Sequence, residues 1–79
     1  MQLKIQYYAL MREQAGRSEE RLETSAATPA DLYGELMARH GFTLPPQQLK
    51  VAVNGEFSDW SHRLRAGDAV VFIPPVAGG

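Results

Sequence analysis

Apolar and polar residues alternate at the start of the chain, which predicts a β-strand with one buried face. The buried positions of this strand are Leu3, Ile5 and Tyr7. Residues Ala9–Ala15 predict a short helix that ends at Gly16. The next stretch, residues 18–24, is polar and poor in apolar side chains, which is typical of an edge strand.

The main helix has a strong start signal at Thr28, which suits the N-cap position. Pro29 suits the first turn, and Asp31 favours the positive end of the helix dipole. Apolar side chains then recur at helical spacing and predict the buried face: Leu32, Tyr33, Leu36 and Met37. Gly41 is placed to end this helix after His40, whose position favours interaction with the negative end of the dipole.

The rest of the chain predicts a hairpin followed by a last strand. Alternating apolar positions, Leu49, Val51 and Val53, precede Asn54-Gly55, a strong signal for a two-residue turn. After a turn at residues 65–68, the apolar run Ala69–Ile73 suits a central strand that could lie parallel to the first. Ubiquitin-like β-grasp domains have this order of elements. We therefore expect an α+β fold, a mixed sheet of about five strands with one main helix packed across it.

Composition excludes several classes of function. The chain has 79 residues, which fits one domain, and its net charge of −1 offers no basic excess for nucleic acid. No apolar run approaches the roughly 18 residues of a membrane span, and the first residues do not resemble a signal peptide, so a cytoplasmic location is expected. The absence of cysteine excludes disulfides, a thiolate nucleophile and cysteine-based metal sites.

The polar residues near the hairpin do not predict a catalytic site. Ser58, Asp59 and His62 lie close together in sequence, whereas a hydrolytic triad is assembled from separate elements beside an oxyanion hole. With His40 as the other histidine and no cysteine, a metal site is not expected either. Trp60 is interpreted as a packing residue between the hairpin and the following turn.

Strand parity predicts an apolar patch on the face of the sheet that the main helix leaves open. Its members are Tyr8, Ala52, Val71 and Ile73, with Phe57 just past the hairpin turn. These residues would surround the point where the last strand ends. A contiguous exposed apolar patch favours a protein interface.

The sequence ends with a segment that predicts an extended tail. Pro74 and Pro75 fix the backbone and donate no hydrogen bond, so the sheet should end near Ile73 and the chain should leave as a stiff spacer. Val76 and Ala77 then lead to Gly78-Gly79, which have no side chains and could enter a narrow slot on another protein. We therefore divide the chain into a domain, residues 1–73, and a tail, residues 74–79, whose carboxyl group is the working part.

Three segments resemble one known family, the molybdopterin synthase small subunit. Residues 72–79, Phe-Ile-Pro-Pro-Val-Ala-Gly-Gly, are similar to its C-terminal signature. Residues 7–16 resemble its opening strand and helix, and Val53-Asn54-Gly55 resembles its hairpin. The resemblance implies that Gly79 is adenylated, converted to a thiocarboxylate and used to donate sulfur for the molybdopterin dithiolene. It also implies that Gly78 threads the slot beside it.

The same resemblance implies the partners of the chain. They are a molybdopterin synthase large subunit, joined in a heterotetramer, a ubiquitin-activating-like adenylyltransferase that uses ATP, and a sulfur donor enzyme. Residues Tyr8, Phe57, Val71, Ile73 and 74–77 would contact the partner, and no cofactor or metal would bind to this chain, which would be non-catalytic on its own. A thiamine-pathway sulfur carrier, a ubiquitin-like protein modifier and an inert β-grasp interaction module are the alternatives.

Overall fold

The computed structural model describes residues 1–75, so the predictions for Val76, Ala77, Gly78 and Gly79 lie outside the described residues. The elements follow the predicted order: β1 (Gln2–Gln6), α1 (Ala9–Ala15), β2 (Glu19–Glu23), α2 (Pro29–His40), β3 (Lys50–Val53), β4 (Glu56–Ser58) and β5 (Ala69–Ile73). A short 3₁₀ helix, Pro46–Gln48, lies in the connection before β3 and was not predicted.

The five strands form one mixed sheet in the order β2-β1-β5-β3-β4. β5 is central and pairs parallel with β1, as the sequence suggested, while its other neighbour, β3, is antiparallel. β2 and β4 are the edges of the sheet. This topology, with α2 packed across one face, is the ubiquitin-like β-grasp fold, and it confirms the predicted fold class.

Local signals determine the ends of α2 and the hairpin. The Thr28 hydroxyl accepts a hydrogen bond from the Asp31 amide at 3.2 Å and caps the start of the helix. Gly41 adopts φ 70°, and its amide donates to the Met37 carbonyl, which ends the helix as predicted. Asn54 and Gly55 have φ of 53° and 86°, the left-handed pair that a two-residue hairpin turn requires.

The core lies between the sheet and α2. Its fully buried members include Leu3, Ile5, Leu32, Tyr33, Leu36, Val70 and Phe72. Trp60 packs against this core, with its ring stacked on Phe72 at 5.6 Å, which confirms the packing role predicted for it. Met37 is only partly buried, so it forms the margin of the core rather than its interior.

Glu20, on the strand predicted as a polar edge, is buried. Glu20 pairs in register with Ile5, and Leu22 pairs with Leu3, so Glu20 points to the same side of the sheet as these core residues. Glu20 is 8% exposed, whereas its neighbour Glu19 is exposed. β2 is the predicted edge strand, and the period of two turns every second one of its residues inward, including this charged one.

Within residues 1–75, no helix is both long and apolar enough to cross a membrane. The same residues contain no cluster of three or more histidine, aspartate or glutamate side chains that could hold a metal ion.

Candidate docking face

The face of the sheet opposite α2, called here the outer face, divides into a polar half and an apolar half. Strand register places the polar half on β2 and β1, with side chains Gln2, Lys4, Gln6, Glu19, Arg21 and Glu23. Register likewise places the apolar half on β5, β3 and β4, with side chains Ala69, Val71, Ile73, Ala52 and Phe57. Lys50 lies in the apolar half, since it pairs with Ile73.

Two ion pairs lie on the polar half of the outer face. Lys4 Nζ lies 3.5 Å from Glu19 Oε2, and the Met1 amino group lies 3.6 Å from Glu23 Oε1. Exposed ion pairs of this kind contribute at most about 1 kcal/mol each to stability. This half is therefore a solvated surface that protects the β2 edge.

The apolar half forms a shallow groove of about 650 Å³ that continues to the last described residues. Its lining residues are Gln6, Tyr8, Ala9, Ala52, Gly55, Ala69, Val71, Ile73, Pro74 and Pro75. Tyr8 is 52% exposed, and Phe57, on β4 beyond Ala52, is 73% exposed. Large apolar side chains at such exposure, next to a groove, are typical of a surface that binds another protein.

The six predicted contact residues that the structure describes lie on this one face. Val71, Ile73 and Pro74 are half-buried, Pro75 is exposed, and each of these four lines the groove together with Tyr8. Phe57 flanks the groove at the sheet edge. Their role in binding a partner stays a prediction, as do the roles of Val76, Ala77, Gly78 and Gly79.

Some groove residues were not singled out from the sequence. Strand parity could have identified two of them. Gln6 pairs with Val71, and Ala69 lies two residues before Val71 on the same strand. Ala9 carried no such signal, because it begins a helix. Ala52 faces outward as predicted, but it is only 8% exposed, because its small side chain lies between Val71 and Phe57 in the neighbouring strands.

The backbone between β1 and α1 turns Tyr8 toward the outer face. Tyr8 is extended at φ −132° and serves as the N-cap of α1, while Ala9 follows at φ 50°. A left-handed conformation costs a residue with a Cβ roughly 1–2 kcal/mol. The strained residue, Ala9, lines the groove. Its backbone is held by β1 on one side and by α1 on the other.

A buried polar cluster lies on the opposite side of β1 from this groove. The Tyr7 hydroxyl donates to Glu20 Oε1 at 2.5 Å, and His40 Nε2 lies 2.7 Å from the same oxygen. Arg17 donates to the other oxygen, Oε2, at 3.4 Å. No buried side-chain nitrogen or oxygen in residues 1–75 lacks a partner, so the cluster is fully satisfied. It ties β1, β2 and the end of α2 together.

The cluster shifts the titration of two of its members. Burial raises the pKa of the Tyr7 hydroxyl, and its hydrogen bond to the Glu20 carboxylate adds to this effect. Burial by itself would raise the pKa of the Glu20 carboxyl as well. The hydrogen bonds from Tyr7 and His40, together with the charges of His40 and Arg17, outweigh it and hold that pKa below its ordinary value.

The hairpin residues do not assemble a catalytic group. The Ser58 hydroxyl donates to the Asp59 carbonyl oxygen at 3.2 Å, and the His62 amide donates to that same carbonyl. Within the described part of the chain, the His62 imidazole makes no hydrogen bond to either residue. The arrangement is a local turn without an activated nucleophile.

The fold and the groove define a class of protein, a small ubiquitin-like domain with an apolar groove on its open face. Residues 5–79 match the model of the ThiS family, so the match covers nearly the whole chain, including Gly78-Gly79. The chain belongs to the ThiS family.

Two relatives of known annotation are similar over the full length. The chain is 35% identical over 83 residues to the molybdopterin synthase sulfur carrier subunit of Chlamydomonas reinhardtii, with both chains fully covered. It is 31% identical over 80 residues to the protein of the same name from Escherichia coli strain K12, with 98% of this chain and 99% of that one covered.

The chain is also similar to solved structures. SAMP1 from Haloferax volcanii superposes with a TM-score of 0.82 at 26% identity, with both chains fully covered. Subunit 1 of the molybdopterin converting factor from Pyrococcus furiosus gives 0.79 at 31% identity, over 96% of this chain and 99% of that one. A complex of subunits 1 and 2 of that factor from Helicobacter pylori gives 0.70 at 20% identity, both chains being fully covered, and shows the fold alone.

Proposed function

We propose that this protein is a sulfur carrier of molybdenum cofactor biosynthesis and the small, non-catalytic subunit of a molybdopterin synthase. The observation that carries the proposal is the apolar groove, which continues into Pro74-Pro75, just before the Gly78-Gly79 pair in sequence. Full-length identity of 31–35% to two sulfur carrier subunits of molybdopterin synthase supports it.

In this proposal the carboxyl group of Gly79 carries the sulfur. A carboxylate is a poor electrophile, so the Gly79 carboxyl group first attacks ATP in an activating enzyme, forming an acyl-adenylate and releasing pyrophosphate. A donor enzyme then supplies sulfur at the oxidation level of sulfide, which displaces AMP and leaves a thiocarboxylate. This group is ionised at neutral pH and presents a sulfur nucleophile. Loss of this sulfur to the pyranopterin precursor regenerates the carboxylate, with water supplying the oxygen.

A carrier with its cargo on a main-chain carboxyl group needs no reactive side chain of its own. The sequence has no cysteine, and the hairpin residues Ser58, Asp59 and His62 do not form an activated nucleophile. The catalytic acids and bases, and the site for the phosphate of the precursor, therefore belong to the partner. Gly78, which has no Cβ, threads the narrow approach to that site.

The partner in this proposal is the large subunit of the synthase, which docks on the apolar half of the outer face. Tyr8, Phe57, Val71 and Ile73 provide the contact area, and residues 74–77 carry the tail from this face into the active site of the partner. Each thiocarboxylate delivers one sulfur, whereas a dithiolene has two, so two carrier chains serve each product. A heterotetramer of two small and two large subunits fits this stoichiometry.

Single-turnover conversion of precursor to molybdopterin tests the proposal. The assay uses chemically thiocarboxylated protein and purified large subunit, and product should form in proportion to the thiocarboxylate supplied. Mass spectrometry of protein from its native host should show a species in which one oxygen is replaced by sulfur. Thiocarboxylated protein that yields no molybdopterin with an active large subunit would refute the assignment.

A ubiquitin-like protein modifier is the second candidate, and the likeness to SAMP1, whose name stands for small archaeal modifier protein 1, favours it. SAMP1 from Haloferax volcanii has the highest TM-score of the structures described above, 0.82. A modifier would use the same activated carboxyl group of Gly79 but would transfer it to lysine side chains of other proteins. Ladders of conjugates in lysates, absent when Gly79 is deleted, would support this candidate.

A further inference from the structure

Lys50 is a charged residue within an otherwise apolar surface. It begins β3 and pairs in register with Ile73, the last residue of β5. Its Nζ lies 5.8 Å from the centre of the Phe57 ring on β4. Cross-strand neighbours on one face have Cβ atoms about 5 Å apart. The Lys50 side chain therefore lies next to both Ile73 and Phe57, two principal residues of the apolar half.

Lys50 has no acidic partner in residues 1–75. No carboxylate of these residues lies within 4.0 Å of its Nζ, whereas Lys4, the other lysine of the chain, has Glu19 at 3.5 Å. Among the strand residues of the outer face, the acidic ones lie on β2, at the far edge of the sheet from β3 and β4. Asp59 follows β4 near Lys50 but makes no ion pair with it. Lys4 and the amino terminus are thus paired within the polar half, whereas Lys50, like Arg21 on β2, has no carboxylate within 4.0 Å among residues 1–75. Of these two unpaired cations, Lys50 is the one that lies in the apolar half.

Docking on this face would change the surroundings of Lys50. A partner that covers Ile73 and Phe57 removes water from both sides of the Lys50 side chain. Removing an ammonium group from water is unfavourable unless it is paired and hydrogen-bonded. A partner with a wholly apolar surface at this point would therefore be rejected, and one with a carboxylate there would be accepted.

We propose that the partner presents a carboxylate opposite Lys50, and that this pair determines which proteins dock on the apolar face and in what register. The inference rests on the proposed function, in which that partner is the large subunit of the synthase. Because Lys50 lies beside Ile73, the residue before Pro74, the pair also fixes where the tail begins relative to the partner. A charge pair of this kind contributes to specificity more than to affinity.

Amine labelling tests the burial of Lys50 without any substitution. The chain offers three amines, Lys4, Lys50 and the amino terminus, so each acetylated position can be quantified by peptide mapping. We expect acetylation of Lys50 to slow several-fold when the purified large subunit is bound. Lys4, on the polar half, should be acetylated at nearly the same rate in the free protein and in the complex.

Three variants test the charge itself by titration with the large subunit. Lys50→Met should raise Kd about thirtyfold or more, because it leaves the partner's carboxylate buried without a cation. Lys50→Arg, which keeps the charge, should bind within a few-fold of the unmodified protein. Lys4→Met is the matched control and should change Kd little. The dependence of Kd on salt should weaken in Lys50→Met and persist in Lys4→Met.

Zero-length cross-linking identifies the carboxylate. A carbodiimide joins a lysine amine to a carboxylate that it contacts, so the complex should yield one link from Lys50 to an acidic residue of the large subunit. Lys50→Arg should lose this link while it still binds. Changing the linked residue to lysine should weaken binding, and combining that change with Lys50→Glu should restore it.

The outcomes separate this inference from the proposed function. If the unmodified protein forms no complex with the large subunit, the proposed function and this inference both fail. If the complex forms and transfers sulfur, but Lys50 is acetylated at its free rate and Lys50→Met binds normally, the inference alone is overturned. Protection of Lys50 together with the loss of affinity in Lys50→Met would support it.

Discussion

The hydroxyl of Tyr7 donates a hydrogen bond to the carboxylate of Glu20, with 2.5 Å between the Tyr7 oxygen and Glu20 Oε1. The two residues are 13 positions apart, with Tyr7 directly after β1 and Glu20 on the neighbouring strand β2, and both are buried. His40, at the end of α2, completes the cluster from a third element. A buried charge that is hydrogen-bonded from three elements makes the packing of those elements interdependent.

We predict that Tyr7→Phe destabilises the fold by about 1–3 kcal/mol, because it leaves the buried Glu20 carboxylate with one donor fewer. Urea unfolding followed by the fluorescence of Trp60 measures this, since Trp60 is the only tryptophan and stacks on Phe72 in the core. Tyr8→Phe is the matched control, because the Tyr8 side chain is exposed and losing its hydroxyl should change stability by less than about 0.5 kcal/mol. Equal effects of the two substitutions would contradict the role of the cluster.

We predict that Glu20 contributes to the loss of stability in acid. The fold holds the pKa of Glu20 below its ordinary value of 4.5, so the folded state favours the ionised carboxylate. Its contribution is therefore fully present above the pKa of the unfolded chain and is lost as pH falls through the lower pKa of the folded state.

Glu20→Gln tests this pH dependence. The variant should be less stable than the unmodified protein at neutral pH, and its free energy of unfolding should fall less steeply as the solution is acidified. Glu19→Gln, a change to an exposed residue on the same strand, should keep the steep acid dependence. An acid dependence that is unchanged in Glu20→Gln would show that other groups cause it.

The sequence predicted those parts of the fold that local chemistry determines. The bounds of α1, Ala9–Ala15, follow from its apolar spacing and from Gly16, which adopts φ 77° at the C-cap. The hairpin at Asn54-Gly55 follows from the left-handed backbone that these two residues tolerate. β5 is central, as its continuous apolar run predicted: its inward residues, Val70 and Phe72, are buried under α2, and its outward residues, Val71 and Ile73, line the groove.

The buried cluster could not be predicted, because it depends on long-range pairing. Within its own stretch of chain, Glu20 is one of several charged residues, and its inward direction is fixed only by its register with Ile5 on another strand. His40 comes from a position 20 residues away. The sequence indicated that the Tyr7 hydroxyl would need a hydrogen-bond partner if it were buried. It did not indicate that Glu20 would be that partner.

The apolar half of the outer face was predicted in outline, because parity alone assigns each strand residue to one side of the sheet. Parity placed Val71 and Ile73 outward, and the structure agrees. Parity does not show that Ala9 takes a left-handed backbone and joins the groove, since that depends on how α1 packs behind β1. The significance of Lys50 likewise needed the register of β3 with β5, which brings it beside Ile73.

We predict that Phe57→Asp weakens binding of the large subunit by about 2 kcal/mol or more, as at interface hot spots. Phe57 is 73% exposed, so its loss should leave the fold intact. Gln2→Asp places the same charge on the polar half of the same face and should change affinity little. Affinity from isothermal titration and stability from Trp60 fluorescence should be measured on both variants. An equal loss of affinity in both would exclude a specific role for the apolar half.

We predict that one extra residue after Gly79 abolishes sulfur transfer without weakening docking. The addition moves the carboxyl group by about 3.5 Å, and misplacements of even about 1 Å can reduce a rate about a hundredfold.

Deleting Gly78 and Gly79 should also abolish transfer, while stability changes by less than about 0.5 kcal/mol, because the core is built from residues of the preceding domain. Both variants should bind the large subunit nearly as well as the unmodified protein, since the apolar half of the outer face is intact. Single-turnover assays with the large subunit measure the transfer, and full activity of the extended variant would show that the carboxyl group of Gly79 is not the sulfur-bearing group.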